Sequence, residues 1–161
     1  MSVAAVLREL HAHEQELAHR LLRVSERHRP EPEIHHLARD LAGWSRRHLV
    51  EIAGTGRRFG LDLDPDPAVE PGLAARLREK GGELAGRRPE PGLLLLHDLR
   101  GVHVQAAEVS VDWVMIAQAA QASRDGDLLA LTDRCHPDTL RQMRWANAHV
   151  KVLSPQILLS T

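Results

Sequence analysis

The sequence predicts an all-α protein, a four-helix bundle formed by a single domain over residues 1–161. Leu and Ala together supply 45 of the 161 residues, whereas only four residues are aromatic and Tyr is absent. This composition favours helices, because strands prefer β-branched and aromatic side chains. Long stretches of apolar residues spaced three and four apart give the same indication, and a chain of this length has room for one core.

The first half of the chain predicts an antiparallel pair of helices. Apolar residues recur at three- and four-residue spacing from Ser2 to about His28, and Pro30 ends this first segment. The same spacing returns from Ile34 to Phe59 and predicts the second helix. Because the turn between the two segments is short, the helices should lie side by side and run in opposite directions.

The second half predicts another helical pair after a long connection. Residues 61–91 are rich in Pro and Gly and contain one short helical patch at 73–80. A third helix, apolar on most of its circumference, is predicted at 93–124. A short helical piece at 128–135 then leads to the fourth helix, predicted at 138–153 because a proline just before it suits a first turn. If the connection crosses to the far end, the third helix runs parallel to the second.

Composition and charge exclude several classes of partner. The formal net charge is −1, which leaves no positive field to hold nucleic acid or an anionic membrane surface. The longest uncharged run, from Trp113 to Ser123, has 11 residues, about half of what a membrane-spanning helix needs. The start of the chain lacks an apolar segment of signal-peptide length, and the single Cys135 cannot form an internal disulfide. We therefore expect a cytoplasmic protein.

Several polar residues fall where the helical period predicts core positions. Glu14 lies on the apolar line of the first helix, and His48 and Glu51 lie one turn apart on that of the second. A buried carboxylate must be paired, protonated or bound to a metal. With the turn centred near residue 30, residue n faces about position 60 minus n, so that His11 joins the same layer. Counting 16 residues into the second and third helices brings Glu108 level with His48.

This arrangement resembles the ferritin-like di-iron carboxylate proteins, which are four-helix bundles with one long crossover connection. Glu14 and Glu108 match the carboxylates that this superfamily takes from its first and third helices. His48-x-x-Glu51 matches the superfamily pair of the second helix in reversed order. The resemblance covers nearly the whole chain in topology and implies a ferritin-like fold.

The resemblance also implies a transition metal in the middle of the bundle. Mixed His and carboxylate ligands suit iron, manganese or zinc, and no organic cofactor is expected. The fourth helix departs from the superfamily pattern, because it offers Arg144-x-x-Asn147 and no carboxylate, which indicates a mononuclear or altered centre. Neither a reaction nor a substrate follows from these residues. The predicted ligands are Glu14, His48, Glu51, Glu108 and His11, with His103 or His149 as additional candidates.

A second interpretation treats the polar layer as structural. Glu14, His48 and Glu51 would then form a buried hydrogen-bonded network with Arg144 as the counter-charge. The chain would be a non-catalytic helical module that acts through protein contacts, as a homodimer. This interpretation predicts a contiguous apolar patch on the outside of the bundle.

A third interpretation concerns His97. The segment containing His97, Arg100 and Gly101 resembles the His-x-x-Lys-Gly pattern of histidine phosphotransfer domains, with Arg in place of Lys. The resemblance implies an exposed histidine that accepts a phosphoryl group. The remaining histidines of the first two helices are predicted to be solvated, and the three tryptophans to be core or interface anchors. The histidines concerned are His13, His19, His28, His35 and His36.

Overall fold

The computed structural model describes residues 2–69 and 90–160. Both ranges are dominated by long helices and contain no strand. The prediction of an all-α four-helix bundle is confirmed. The helices within these ranges are α1 (Ser2–Arg27), α2 (Pro32–Gly56), α3 (Pro91–Ser123) and α4 (Gly126–Leu158), and a 3-10 turn follows α2 at Arg57–Phe59.

Contacts between neighbouring helices give the direction of each. Helices α1 and α3 are antiparallel, because His28 contacts Asp98 near one end and His13 contacts Asp112 further along. Helices α2 and α4 are also antiparallel. Because α1 runs opposite to both α2 and α3, α3 runs parallel to α2. In the bundle α3 lies diagonally opposite to α2. The connection therefore crosses to the far end of the bundle, as the long crossover predicts. The contacts between α2 and α4 at their two ends are Glu33–His149 and Arg58–Asp125.

An apolar core runs along the bundle axis. Helix α1 contributes Leu7, Leu10, Leu17 and Leu21, all fully buried, at the spacing that the sequence predicts. Burying each leucine completely stabilises the fold by about 2 kcal/mol. Helix α3 contributes Trp113, whose side chain is also fully buried, so the middle of the bundle is filled with apolar volume.

Helix α4 differs from its prediction, because it is one continuous helix from residue 126 rather than a short piece followed by a helix at 138–153. Asp125 caps it, since its carboxylate accepts a hydrogen bond from the backbone N–H of Leu128 at 3.0 Å. Pro137, predicted to stand at the helix start, lies inside the helix. Helix α4 therefore starts at residue 126, 12 residues before the predicted start at residue 138. Different residues of α4 reach the middle of the bundle as a result.

The described part of the connection covers the groove between α1 and α2. Gly60 ends the 3-10 turn in the left-handed region at φ 75°, which only glycine adopts at no cost. Further along, Val69 packs against Ala18 and Leu49. The predicted short helix at 73–80 lies outside the described residues. None of the helices in the described ranges combines the length and the apolar character needed to span a bilayer.

Candidate functional site

Three ionisable side chains from three helices meet in the middle of the bundle. His48 lies between Glu14 of α1 and Asp138 of α4: its Nδ1 is 3.1 Å from Glu14 Oε1, and its Nε2 is 3.1 Å from Asp138 Oδ2. Glu14 is fully buried and His48 nearly so, whereas Asp138 is partly open to solvent. We call these three residues the polar triad. It leads from the core to the surface between α2 and α4.

The contacts of the triad favour the protonated imidazole of His48. A neutral imidazole carries one N–H, whereas both ring nitrogens here face carboxylate oxygens. Burial by itself disfavours the charged ring, but attraction and hydrogen bonds to Glu14 and Asp138 outweigh it and raise the pKa of His48. Buried Glu14 thus has a cationic partner, although its Oε2 has no hydrogen-bond partner within the described ranges.

Glu51, a predicted ligand, points to α4 instead of into the triad. Its Oε1 accepts a hydrogen bond from Arg134 Nε at 2.9 Å, and its Oε2 accepts one from the Cys135 thiol at 3.1 Å. Burial alone would raise the pKa of Glu51, but the bonds from Cys135 and Arg134 hold it below its ordinary value. Burial and the nearby Glu51 strongly raise the pKa of Cys135, so that the thiol stays protonated and unreactive.

Glu108 and His11 also have partners elsewhere. Glu108 lies at the outer edge of α3, half exposed, with its Oε1 2.9 Å from Nε2 of His13. The prediction that Glu108 faces the core is therefore wrong. His11 donates to the carbonyl oxygen of Asp64 in the connection at 2.6 Å. Of the five predicted ligands, all of them described, the structure brings Glu14 and His48 into contact and leaves the other three with separate partners.

The additional candidates on α3 and α4 lie away from the triad. His103 bonds the carbonyl oxygen of Met143 at 3.3 Å, and His149 bonds that of Trp145 at 2.9 Å. Arg144 is exposed, so the prediction that it supplies the counter-charge in the layer is wrong. That charge comes from His48, and the residue of α4 that reaches the layer is Asp138.

The donors around Glu14 do not fit a metal centre. Across residues 2–69 and 90–160, no group of three or more His, Cys, Asp or Glu side chains is arranged to hold an ion. Trp113 occupies the level where the third-helix carboxylate is expected: its ring centroid is 6.3 Å from that of His48, edge to face. Glu51 already accepts two hydrogen bonds. Metal binding by the chain stays a prediction.

Asp138 is the triad residue that the sequence does not predict, because its position after Pro137 places it at a predicted helix start. The signal for the correct start is Asp125 followed by Gly, Asp and the apolar Leu128, which is an N-cap pattern. Once α4 begins there, Asp138 falls three residues after Cys135 and four before Gln142, both of which are buried. The helical period then directs it inward.

A second notable feature is the outside of α3. Val104, Val111, Val114 and Met115 are exposed there, at spacings that place them on one face. From residue 109 to residue 123 the only charged side chain is Asp112, which is buried. Glu108, at the edge toward α1, is paired with His13. We call this surface, from Val104 to Ala122, the α3 outer face; it is largely apolar, with Glu108 as its one exposed charged side chain.

His97 is exposed, as the phosphotransfer interpretation requires. It shares an open depression of about 370 Å³ with Arg20, Arg100 and Gly101. The Arg20 guanidinium lies over Gly101, since a Cβ there would approach Nη1 to 2.9 Å. Phosphoryl transfer by His97 stays a prediction.

The fold and these sites define a four-helix bundle with a buried polar triad and a largely apolar outer helix face. Comparison of the chain with protein-family models, with curated proteins and with solved structures finds no match. The ferritin-like resemblance therefore stays a prediction.

Proposed function

We propose that the protein is a non-catalytic helical interaction module that forms a homodimer through the α3 outer face. The observation that carries the proposal is the uncharged stretch of exposed apolar side chains around Val111 and Met115, which are 57 % and 42 % exposed. Contiguous apolar surface on a chain in which 27 % of the residues are charged marks a contact site. The buried, protonated Cys135 is compatible with the predicted cytoplasmic location.

A second copy is the partner that suits this face, because the face is self-complementary. The two copies of α3 can pack antiparallel about a twofold axis that passes between Val111 and Met115. Val111 of one copy then contacts Met115 of the other, and Val104 contacts Ala122. From residue 109 to residue 123 a charged partner would find no exposed opposite charge, because Asp112 is buried. From residue 104 to residue 122 the helix spans about 27 Å.

The proposal assigns the polar triad a structural role. Its two carboxylates are both engaged by His48, which joins α1, α2 and α4 at one level. A buried ion pair of this kind adds little net stability, but removing one partner leaves a charge without compensation. The triad therefore favours one alignment of the three helices over shifted alternatives.

The experiment that tests the proposal measures mass in solution for Val111→Glu. Wild-type protein at micromolar concentration should sediment as a dimer of 17.9 kDa chains, and Val111→Glu should sediment as a monomer. The substitution places a charge at the centre of an apolar contact, where desolvating it is costly. Val50→Glu is the matched control, since Val50 is 55 % exposed on α2 and should leave the dimer intact.

Circular dichroism checks that both variants keep the wild-type helical content. A wild-type monomer at 100-fold higher concentration would contradict the proposal, as would a Val111→Glu dimer as stable as that of wild type. Dissociation by Val50→Glu alone would place the interface on α2 and likewise overturn it.

A further inference from the structure

A groove of about 660 Å³ opens between α2 and α4, beside the polar triad. Its apolar lining consists of Leu37, Leu41 and Trp44 from α2 and Trp145 from α4. Ligand sites for small molecules have volumes of about 300–1,000 Å³ and are lined mainly by apolar and aromatic side chains. This groove thus has the size and the lining of such a site.

The charges around the groove are mostly positive. Arg39, Arg47 and Arg141 line it, against the single acid Asp40. Arg141 has one long contact, 3.5 Å from Nη1 to Asp138 Oδ1, whereas neither Arg39 nor Arg47 forms an ion pair within the described part of the chain. An anionic group entering the groove would therefore find guanidinium groups to pair with.

Trp145, which lines the groove, and Gln142, three residues earlier on α4, each carry a buried polar atom without a hydrogen-bond partner in the described ranges. The indole N–H of Trp145 has no acceptor and Oε1 of Gln142 has no donor within residues 2–69 and 90–160. Gln142 lies beneath the groove, because its Nε2 donates to the Leu41 carbonyl oxygen and to Ser45 Oγ, both at 2.9 Å. Buried polar atoms in proteins are nearly always paired, so Trp145 and Gln142 are exceptions on this part of α4.

We propose that this groove binds a small carboxylate with an apolar body. The apolar body lies between Trp44 and Trp145, and the carboxylate pairs with Arg47 and Arg141. The groove lies between α2 and α4, whereas the α3 outer face belongs to a different helix. The binding site is therefore independent of the proposed dimer.

Isothermal titration calorimetry with two carboxylates tests the proposal. Dodecanoate has an aliphatic body and 2-naphthoate an aromatic one. Gly43→Leu is the blocking variant, because Gly43 lines the groove and an added Cβ there meets no atom within 4 Å in the described structure. Gly54→Leu is its matched control, since it makes the same change in the same helix with equally open space and outside the groove lining. Both changes favour the helix, so both variants should fold.

At least one of the two carboxylates should bind wild type and Gly54→Leu with equal Kd. Gly43→Leu should weaken binding at least tenfold, and so should Arg47→Gln combined with Arg141→Gln. Each probe has a neutral counterpart, 2-naphthamide for 2-naphthoate and 1-dodecanol for dodecanoate. For whichever carboxylate binds, its neutral counterpart should bind at least tenfold more weakly. Absence of binding by both carboxylates would overturn the proposal. Equal affinity of Gly43→Leu and Gly54→Leu, or of the charged and neutral probes, would also overturn it.

Discussion

At the scale of single residues, the histidines act mainly as links between segments of the chain. Nine of the eleven form a hydrogen bond, and His36 and His97 are the two that do not within the described ranges. The prediction that five histidines are solvated holds for His36 and is wrong for His28, which is buried. His13, His19 and His35 are half-buried, each against a partner. An imidazole suits this role, since its two ring nitrogens can bond two partners from one small ring. The nine are His11, His13, His19, His28, His35, His48, His103, His136 and His149.

His48 should make stability depend on pH above 6.5. Its pKa is raised in the folded protein from the ordinary 6.5 of the unfolded chain, because Glu14 and Asp138 outweigh burial. The folded state therefore binds the proton more tightly, and this stabilisation is fully present below pH 6.5 and lost as pH rises through the folded pKa. We expect the free energy of unfolding of wild type to fall between pH 6.5 and 8, by up to about 1.4 kcal/mol per pH unit.

Urea unfolding at several pH values measures this dependence, with His48→Gln as the reference. The variant should show a flatter profile over the same interval. His136, whose pKa burial lowers, affects only the range below 6.5, and the Cys135 thiol matters only above pH 8. Parallel profiles for wild type and variant would show that His48 does not retain its proton more strongly in the folded state.

At the scale of elements, the agreement between sequence and structure depends on how each helix start is signalled. The turn between α1 and α2 is short, so Glu14 and His48 are correctly placed at one level by counting from it. Two signals compete at the start of α4, a capping Asp125 and a proline at 137, and the proline suggests the wrong start. No such count works across the long connection, and Trp113, not Glu108, therefore lies beside His48.

The proline inside α4 gives the prediction at this scale. Pro137 has no N–H to donate to the carbonyl oxygen four residues earlier, and such a proline costs a helix interior about 3 kcal/mol. Pro137→Ala should therefore stabilise the protein by about 1–3 kcal/mol in urea unfolding. Pro155→Ala, near the end of the same helix, is the control and should gain less. A loss of stability in Pro137→Ala would instead indicate that the proline directs Asp138 toward His48.

At the scale of the whole molecule, the bundle joins its helix pairs in different ways. Between α1 and α2 the contact is mainly apolar, with polar contacts at Glu14–His48 and at Ser25–His35, and the connection covers it. Helices α2 and α4 meet instead through a series of polar contacts that includes Ser45–Gln142 and Glu51–Arg134. Apolar stripes in the sequence predict the first kind of contact well. They do not predict the second, because polar contacts depend on the register between helices that are distant in sequence.

Metal content tests whether the centre of this bundle is a structural layer or a ferritin-like site. In protein purified without a His tag, we expect iron, manganese and zinc well below one ion per chain, because the donors around Glu14 are paired with one another and Trp113 fills the adjacent space. The double variant Glu14→Leu with His48→Leu should contain no less metal than wild type, and chelator should leave the thermal midpoint of wild type unchanged. About one ion per chain in wild type, lost in the double variant, would instead establish that the pair is a metal site and that the layer rearranges to bind it. The double variant replaces the Glu14–His48 ion pair with two apolar side chains of similar size. Because a buried ion pair adds little net stability, the variant should remain folded.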